Sequence, residues 1–286
     1  MASIKKLLIL FLAASAGSLC AQTMKPNVEF EMMTWAEIRK AIQDDGFVNV
    51  VVYNGGSEQR GPQNVTGGHT LMARETARAI ALKYGHTIVA PVLPYSVNDA
   101  PSSLPWGTIG LTGIAFALMN QQIAEQLIKQ GFRNVFLMGD HGGGQKELGE
   151  VAGRLDAKYR SKGIHVYFCN EMYEKAQSDY WKWLADNHYP SYGHGSIMDT
   201  SEMLYLSTLN GGDKGWVRKE LIRTAVGDPA PVPGQTAKPR PNAPRVNNGI
   251  TGDARPSTPE LGKRIYDMKV DYAVDQMKRF AAGQSK

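Results

Sequence analysis

The sequence predicts an α/β fold built on a mostly parallel sheet. Four short apolar runs rich in strand formers, at residues 48–53, 87–93, 135–138 and 165–169, alternate with stretches of helical periodicity. Strands separated by helices of that length form right-handed βαβ units, and such units stack into a parallel sheet. The chain has 286 residues, 42% of them hydrophobic, so one large α/β domain or two small ones can bury an ample core.

The first 21 residues are set apart as a signal peptide. Lys5 and Lys6 precede an apolar run at residues 7–14, and small residues lead to Leu19-Cys20-Ala21. The run is too short to span a bilayer. Cleavage after Ala21 is expected, with export to a bacterial periplasm and no membrane attachment afterwards. A lipoprotein acylated at Cys20 is disfavoured because Leu19 is bulky where a small residue is wanted. Removing Cys20 leaves Cys169 alone, so the mature chain has no internal disulfide. The formal charge of +5 falls to +3 without Lys5 and Lys6, and no basic stripe is present, which excludes nucleic acid as a partner.

The elements follow in order. Thr34 with Glu37 three residues on reads as a capping box opening the first helix. The strand at 48–53 (VNVVVY) ends in the turn Asn54-Gly55-Gly56, and the loop 57–69 (SEQRGPQNVTGGH) leads to a helix at 70–83. After the second strand comes a Pro- and Gly-rich loop, 94–112, of a length more often functional than idle. A helix at 113–131 precedes the third strand. The next helix starts near Gln145, and the fourth strand follows it. Residues 173–192 are dense in aromatics, which either pack in the core or wall a pocket. A helix at 199–206 comes next. Six prolines at 227–244 mark an extended surface segment with no second domain behind it, so residues 22–286 are expected to form a single domain. The last amphipathic helix begins at Ser257 or Thr258 with Pro259 at its first position, and runs to about Phe280.

The chemistry is expected at the strand ends. After Met138 the chain reads Gly139-Asp140-His141-Gly142-Gly143-Gly144, a histidine hemmed by glycines between a buried strand and a helix. In parallel sheets ligands bind at the carboxyl ends of strands, in such turns. Glu58 and His69 follow the first strand, so all three side chains reach the same sheet edge. Two histidines and one carboxylate are the ligand set of many catalytic zinc sites, with a position left for water, and zinc-bound water is acidic enough to supply hydroxide for attack on a carbonyl.

Five motifs in register resemble the creatininase (creatinine amidohydrolase) family over roughly residues 33–282. Gly56-Ser57-Glu58-Gln59-Arg60-Gly61-Pro62 resembles its first loop, G-S-x-E-Q-H-G-P. Gly139 to Gly143 resembles N-G-H-G-G. Leu104 to Gly110 resembles F-P-G-T-I-S with Trp106 inserted. His194-Gly195-Ser196-Ile197-Met198-Asp199-Thr200-Ser201 resembles H-A-G-x-x-E-T-S, and residues 249–262 resemble the closing G-V-T-G-D-P motif. The resemblance implies a three-layer α/β/α sandwich around a mainly parallel sheet. It also implies a homo-oligomer, often a hexamer, and hydrolysis of C–N bonds in cyclic or linear amides with divalent zinc or manganese. By position it makes Glu58 and His141 metal ligands, His194 a proton shuttle and Asp199 its supporting acid, with Trp106 in the substrate loop.

Three departures change the expected centre. Arg60 replaces a metal-binding histidine, His69 replaces a bridging aspartate, and Gly143 stands where creatininase has a second glutamate. A fixed cation beside a second metal is repelled, so one metal per chain is expected, held by Glu58, His69 and His141. Arg60 is expected to bind a carboxylate or polarise a carbonyl oxygen of an anionic small-molecule substrate. The reading is a metal-dependent hydrolase of a C–N bond. The alternatives are a lactone hydrolase, which needs the same machinery, and a non-catalytic relative that binds a ligand or serves as a structural subunit.

Overall fold

The structure is a computed structural model that describes residues 27–98, 106–230 and 247–283. The signal peptide expected at 1–21 and most of the Pro-rich segment lie outside the described residues.

Strands β1 (Asn49–Asn54), β2 (Thr87–Val89), β3 (Asn134–Gly139) and β4 (His165–Phe168) form one parallel sheet in the order β2-β1-β3-β4. Alternation along the strands makes two buried faces. Val50, Val52, Val135 and Leu137 point to one side, under α1 (Trp35–Gln43), α3 (Gly113–Gln130) and α4 (Gln145–Tyr159). Val51, Tyr53, Phe136 and Met138 point to the other, under α2 (Gly68–Tyr84) and α8 (Pro259–Ala281). Helices on both faces make the expected three-layer sandwich. Among the described residues no helix is long and apolar enough to cross a membrane.

Local signals account for the helix starts. Thr34 and Glu37 form the reciprocal capping box, Thr112 caps α3, and Thr258, not Ser257, caps α8 with Pro259 at its first position. The helix expected at 199–206 runs two residues further at each end, Ile197–Thr208, and two other boundaries differ with local causes. The second strand stops at Val89, because Pro91 and Pro94 cannot donate to a ladder; Leu93 returns only as a single bridge to Asn54. Helix α2 begins two residues early, so His69 sits in its first turn and not in the preceding loop.

Chain order explains where the site lies. From β1 the chain runs to β2 on one side, then crosses back to β3 on the other side of β1. The carboxyl ends of β1 and β3 are therefore neighbours, with Asn54 paired to Gly139, and the connections leaving them diverge. That is a topological switch point, the crevice where open α/β sheets bind ligands.

Beyond β4 lie α5 (Glu174–Asp186), α6 (Ile197–Thr208) and the short α7 (Lys219–Ile222). The aromatic segment mostly packs. Tyr180 is fully buried against α6 and α8, and Trp183 stacks on Tyr189 with Arg264 over its ring. Helix α6 is unusual in burying Asp199, Thr200, Ser201 and Glu202 together. Four polar side chains in an interior helix turn demand partners, and those partners build the site.

Candidate metal and catalytic centre

Glu58 is the hub. Its Oε1 lies 2.9 Å from His69 Nε2 and its Oε2 lies 3.1 Å from His141 Nε2. His194 Nδ1 is 3.5 Å from Oε1, and Asn98 Nδ2 donates to Oε2 at 3.1 Å. Five segments deliver these groups: Glu58 and Asn98 on the connections after β1 and β2, His69 on the first turn of α2, His141 on the turn after β3, and His194 just before α6. The side chains of Glu58, His69 and His141 are 9%, 10% and 13% exposed, against 31% for His194. His194 therefore stands at the approach to a recessed carboxylate.

The turn carrying His141 is tied to its surroundings. Gln145 Nε2 donates to the His141 carbonyl at 2.8 Å, and His141 Nδ1 lies 3.0 Å from the Gly143 N–H and 3.3 Å from the Gly143 carbonyl, so it can accept from one or donate to the other. A Cβ on Gly143 would lie 2.0 Å from the Val97 carbonyl, so no side chain, and no second glutamate, fits there. The Tyr173 hydroxyl packs against Gly142.

The outer nitrogens of two histidines are committed. His194 Nε2 is 2.6 Å from the Gln59 carbonyl, and His69 Nδ1 is 2.8 Å from Asp140 Oδ2. A carbonyl or a carboxylate only accepts, so both outer nitrogens carry the proton. The inner nitrogens, His69 Nε2 and His194 Nδ1, face the Glu58 carboxylate at 2.9 and 3.5 Å, and that oxygen too only accepts. With an acceptor on both sides, each ring needs either a second proton or a metal ion between its inner nitrogen and Glu58.

Burial alone would raise the Glu58 carboxyl, but hydrogen bonds from His141 and His69 outweigh it and hold it well below the usual carboxylate range. Burial lowers His141, and the Glu58 hydrogen bond and charge reverse that, leaving it above its ordinary value. Asp140 is likewise driven up by burial and pulled lower by Lys269 and His69. Lys269, from α8, lies 2.7 Å from Asp140 Oδ1 and 2.7 Å from Glu202 Oε2, and burial pushes the Glu202 carboxyl up.

Arg60 and Asp199 need correction. Arg60 is fully buried, with Nη2 2.6 Å from Asp199 Oδ1. The chain itself supplies an anion beside Arg60, and the guanidinium is closed to solvent, with Nε and Nη1 left without a hydrogen-bond partner. Asp199 spends its other oxygen, Oδ2, on the Gly195 N–H at 2.8 Å. Both oxygens are thus engaged, and through the Gly195 N–H Asp199 braces the residue next to His194. Gly195 has φ +65°, and a Cβ there would press on the Arg60 backbone at 3.0 Å. The Gln63 amide donates to the Gly195 carbonyl at 2.7 Å, completing the clamp. Trp106 is 81% exposed, beside a cavity of about 310 Å³ lined also by Gln59, Gly61, Pro62, Asn247 and Asn248. This lining carries no charge.

Sequence reading missed Lys269, Glu202 and Asn98, and did not give Asp140 its role as the partner of His69. One signal existed. Ile265, Lys269, Val270 and Ala273 share the buried face of α8, and a lysine on an apolar stripe marks an interior ion pair.

The donor set suits a divalent cation. Ligand atoms of Glu58, His69 and His141 all lie within 4.8 Å of one another. Bonds of ~2.1 Å in a tetrahedral site put ligand atoms ~3.4 Å apart, so the contacts at 2.9 and 3.1 Å would need to open by only a few tenths of an ångström. Charge agrees. Four buried carboxylates, Glu58, Asp140, Asp199 and Glu202, surround two buried cations, Arg60 and Lys269. Up to two negative charges remain for a divalent ion to balance, and buried charge without balance is costly.

Comparison with known proteins identifies the family and the fold. A family model described as creatininase, creatinine amidohydrolase, matches residues 31–277. A creatininase structure with Mn superposes with a TM-score of 0.67 at 20% identity, covering 89% of this chain and 98% of that one. A creatininase variant complexed with creatine superposes at 0.66 and 20% identity, with the same coverage. The 3-dehydro-scyllo-inosose hydrolase of Thermotoga maritima is 29% identical over 120 residues, 41% of this chain. The match spans 36% of that curated relative's length, about a third of it.

Proposed function

The chain belongs to the creatininase family, and from that premise we propose that it is a metal-dependent hydrolase of a C–N bond in a small, cyclic or linear amide. The observation that carries the reading is the buried group of Glu58, His69 and His141, whose ligand atoms lie within 4.8 Å of one another. Glu58, His69 and His141 would hold one zinc or manganese ion. Bound there, a divalent cation supplies Lewis acidity to a carbonyl oxygen and lowers the pKa of water. The protein's own groups do the rest. His194 accepts a proton at Nδ1, because its Nε2–H is held by Gln59, and returns it to the leaving nitrogen. Arg60, Asp199 and Gln63 hold the loop that aims His194. The same machinery serves a lactone, so esters belong in the substrate screen. The relative acting on 3-dehydro-scyllo-inosose adds a cyclic ketone to it.

The reading includes export with cleavage after Ala21, and a homo-oligomer, by family resemblance a hexamer.

Metal analysis of protein purified without added metal tests the proposal, with about one equivalent per chain expected. None, together with no binding on titration, would favour the non-catalytic alternative. The pH dependence adds a check. His141 is raised above its usual value near ~6.5, so a proton competes for its Nε2. Metal affinity is expected to be complete above that raised value and to weaken steadily as pH falls through it. Affinity constant from pH 8 to pH 5 would remove His141 from the ligand set.

The uncharged cavity beside Trp106 favours a neutral substrate over the anionic one expected from Arg60. Trp106→Ala should raise KM by about tenfold, the scale of one aromatic contact, and leave metal content unchanged. An unchanged KM would take Trp106 out of substrate binding.

A further inference from the structure

We infer that Asp140, held by Lys269 and Glu202, is a positioning residue that locks His69 in one tautomer and so makes it a metal ligand. The inference rests on the metal reading above and adds an outer layer to it.

At both departures His69 and Asp140 stand together: a histidine where the resemblance places a bridging aspartate, and an aspartate where it places glycine. The two side chains meet, His69 Nδ1 to Asp140 Oδ2 at 2.8 Å. An imidazole on the first turn of α2 is free to carry its proton on either nitrogen. Only the Nδ1–H form leaves Nε2 open toward Glu58. An ionised carboxylate at Nδ1 selects that form, because it accepts and does not donate.

The carboxylate is itself oriented. Its Oδ1 receives Lys269 Nζ at 2.7 Å and the Tyr53 hydroxyl at 3.3 Å, so Oδ2 is the oxygen left to His69. Lys269 is in turn tethered to Glu202 at 2.7 Å. Asp140, Lys269 and Glu202 are at most 2% exposed, so water does not substitute for any of them. Three segments contribute: the turn after β3, α6, and α8, which lies 129 residues beyond Asp140. The docking of α8 is thereby linked to the geometry of a ligand on α2.

Asp140→Asn tests this with little change in shape. The amide NH₂ can donate to His69 Nδ1, which shifts the ring to the Nε2–H tautomer. Two readouts are made on the full chain. Nitrogen-15 NMR of the metal-free protein should show His69 moving from the Nδ1–H to the Nε2–H pattern. Zinc affinity, measured by chelator competition, should fall about 10- to 100-fold. Lys269→Met paired with Glu202→Leu removes the tether and leaves Asp140 only Tyr53 and His69 as partners, and should give a mixture of tautomers with a smaller loss of affinity. An Asp140→Asn protein that keeps the Nδ1–H tautomer and full zinc affinity would overturn the inference. A tautomer shift in a chain that binds no zinc in either form would uphold the positioning role and sink the metal reading instead. Should Asp140→Asn fail to fold, Asp140→Glu replaces it: a carboxylate retained at Nδ1 should keep the tautomer, and its loss there would also count against the inference.

Discussion

Glu58→Gln is expected to remove bound metal and turnover while the fold survives. Glu58 touches His69, His141, His194 and Asn98 at once. An amide is neutral, and its NH₂ would face an imidazole lone pair with a proton where a cation should sit. The loss should exceed the roughly 100-fold that an outer partner costs, because a ligand itself is gone. Folding should persist because the core lies in the two faces of the sheet, away from this edge. His141→Ala should behave alike. Metal stoichiometry, circular dichroism and turnover of the best substrate check this together. A folded Glu58→Gln chain with a full equivalent of metal would end the assignment. The change should also flatten the acid limb of stability in metal-free protein. A carboxylate held below its unfolded value stabilises the fold above ~pH 4.3, and that contribution is lost as pH falls toward the folded value.

Arg60→Met is expected to be the most destabilising single change at the site. It leaves Asp199 buried and ionised with only the Gly195 N–H as partner. Breaking a buried pair by removing one member costs about 3–5 kcal/mol, which corresponds to roughly 10 °C in Tm for a domain of this size. Arg60→Met combined with Asp199→Leu should recover much of the loss, since no charge is then stranded. His194 would still lose its aim, so turnover should stay low in the double variant. A single variant with unchanged Tm but weaker binding of anionic substrates would restore Arg60 to the substrate, against the ion pair seen here.

The two outcomes separate what was legible in the chain from what was not. Periodicity located the strands and most helices, because side-chain direction repeats every two residues in a strand and every 3.6 in a helix. Caps such as Thr34, Thr112 and Thr258 act within four residues, so their signals are local. Glu58, His69 and His141 could be grouped before any coordinates, since parallel strands send their carboxyl ends to one edge.

Partner choice was not legible. Arg60 was expected to face a substrate anion, and that it meets Asp199 depends on how α6 packs, 139 residues away. Lys269 reads as one charged residue in an amphipathic helix until α8 docks and brings it to Asp140. The sequence alone determined the layers, the sheet edge and the types of donor available there. Only the tertiary structure decided which charges neutralise one another, because in a buried site that outcome rests on distances of a few ångströms between segments that no local rule connects.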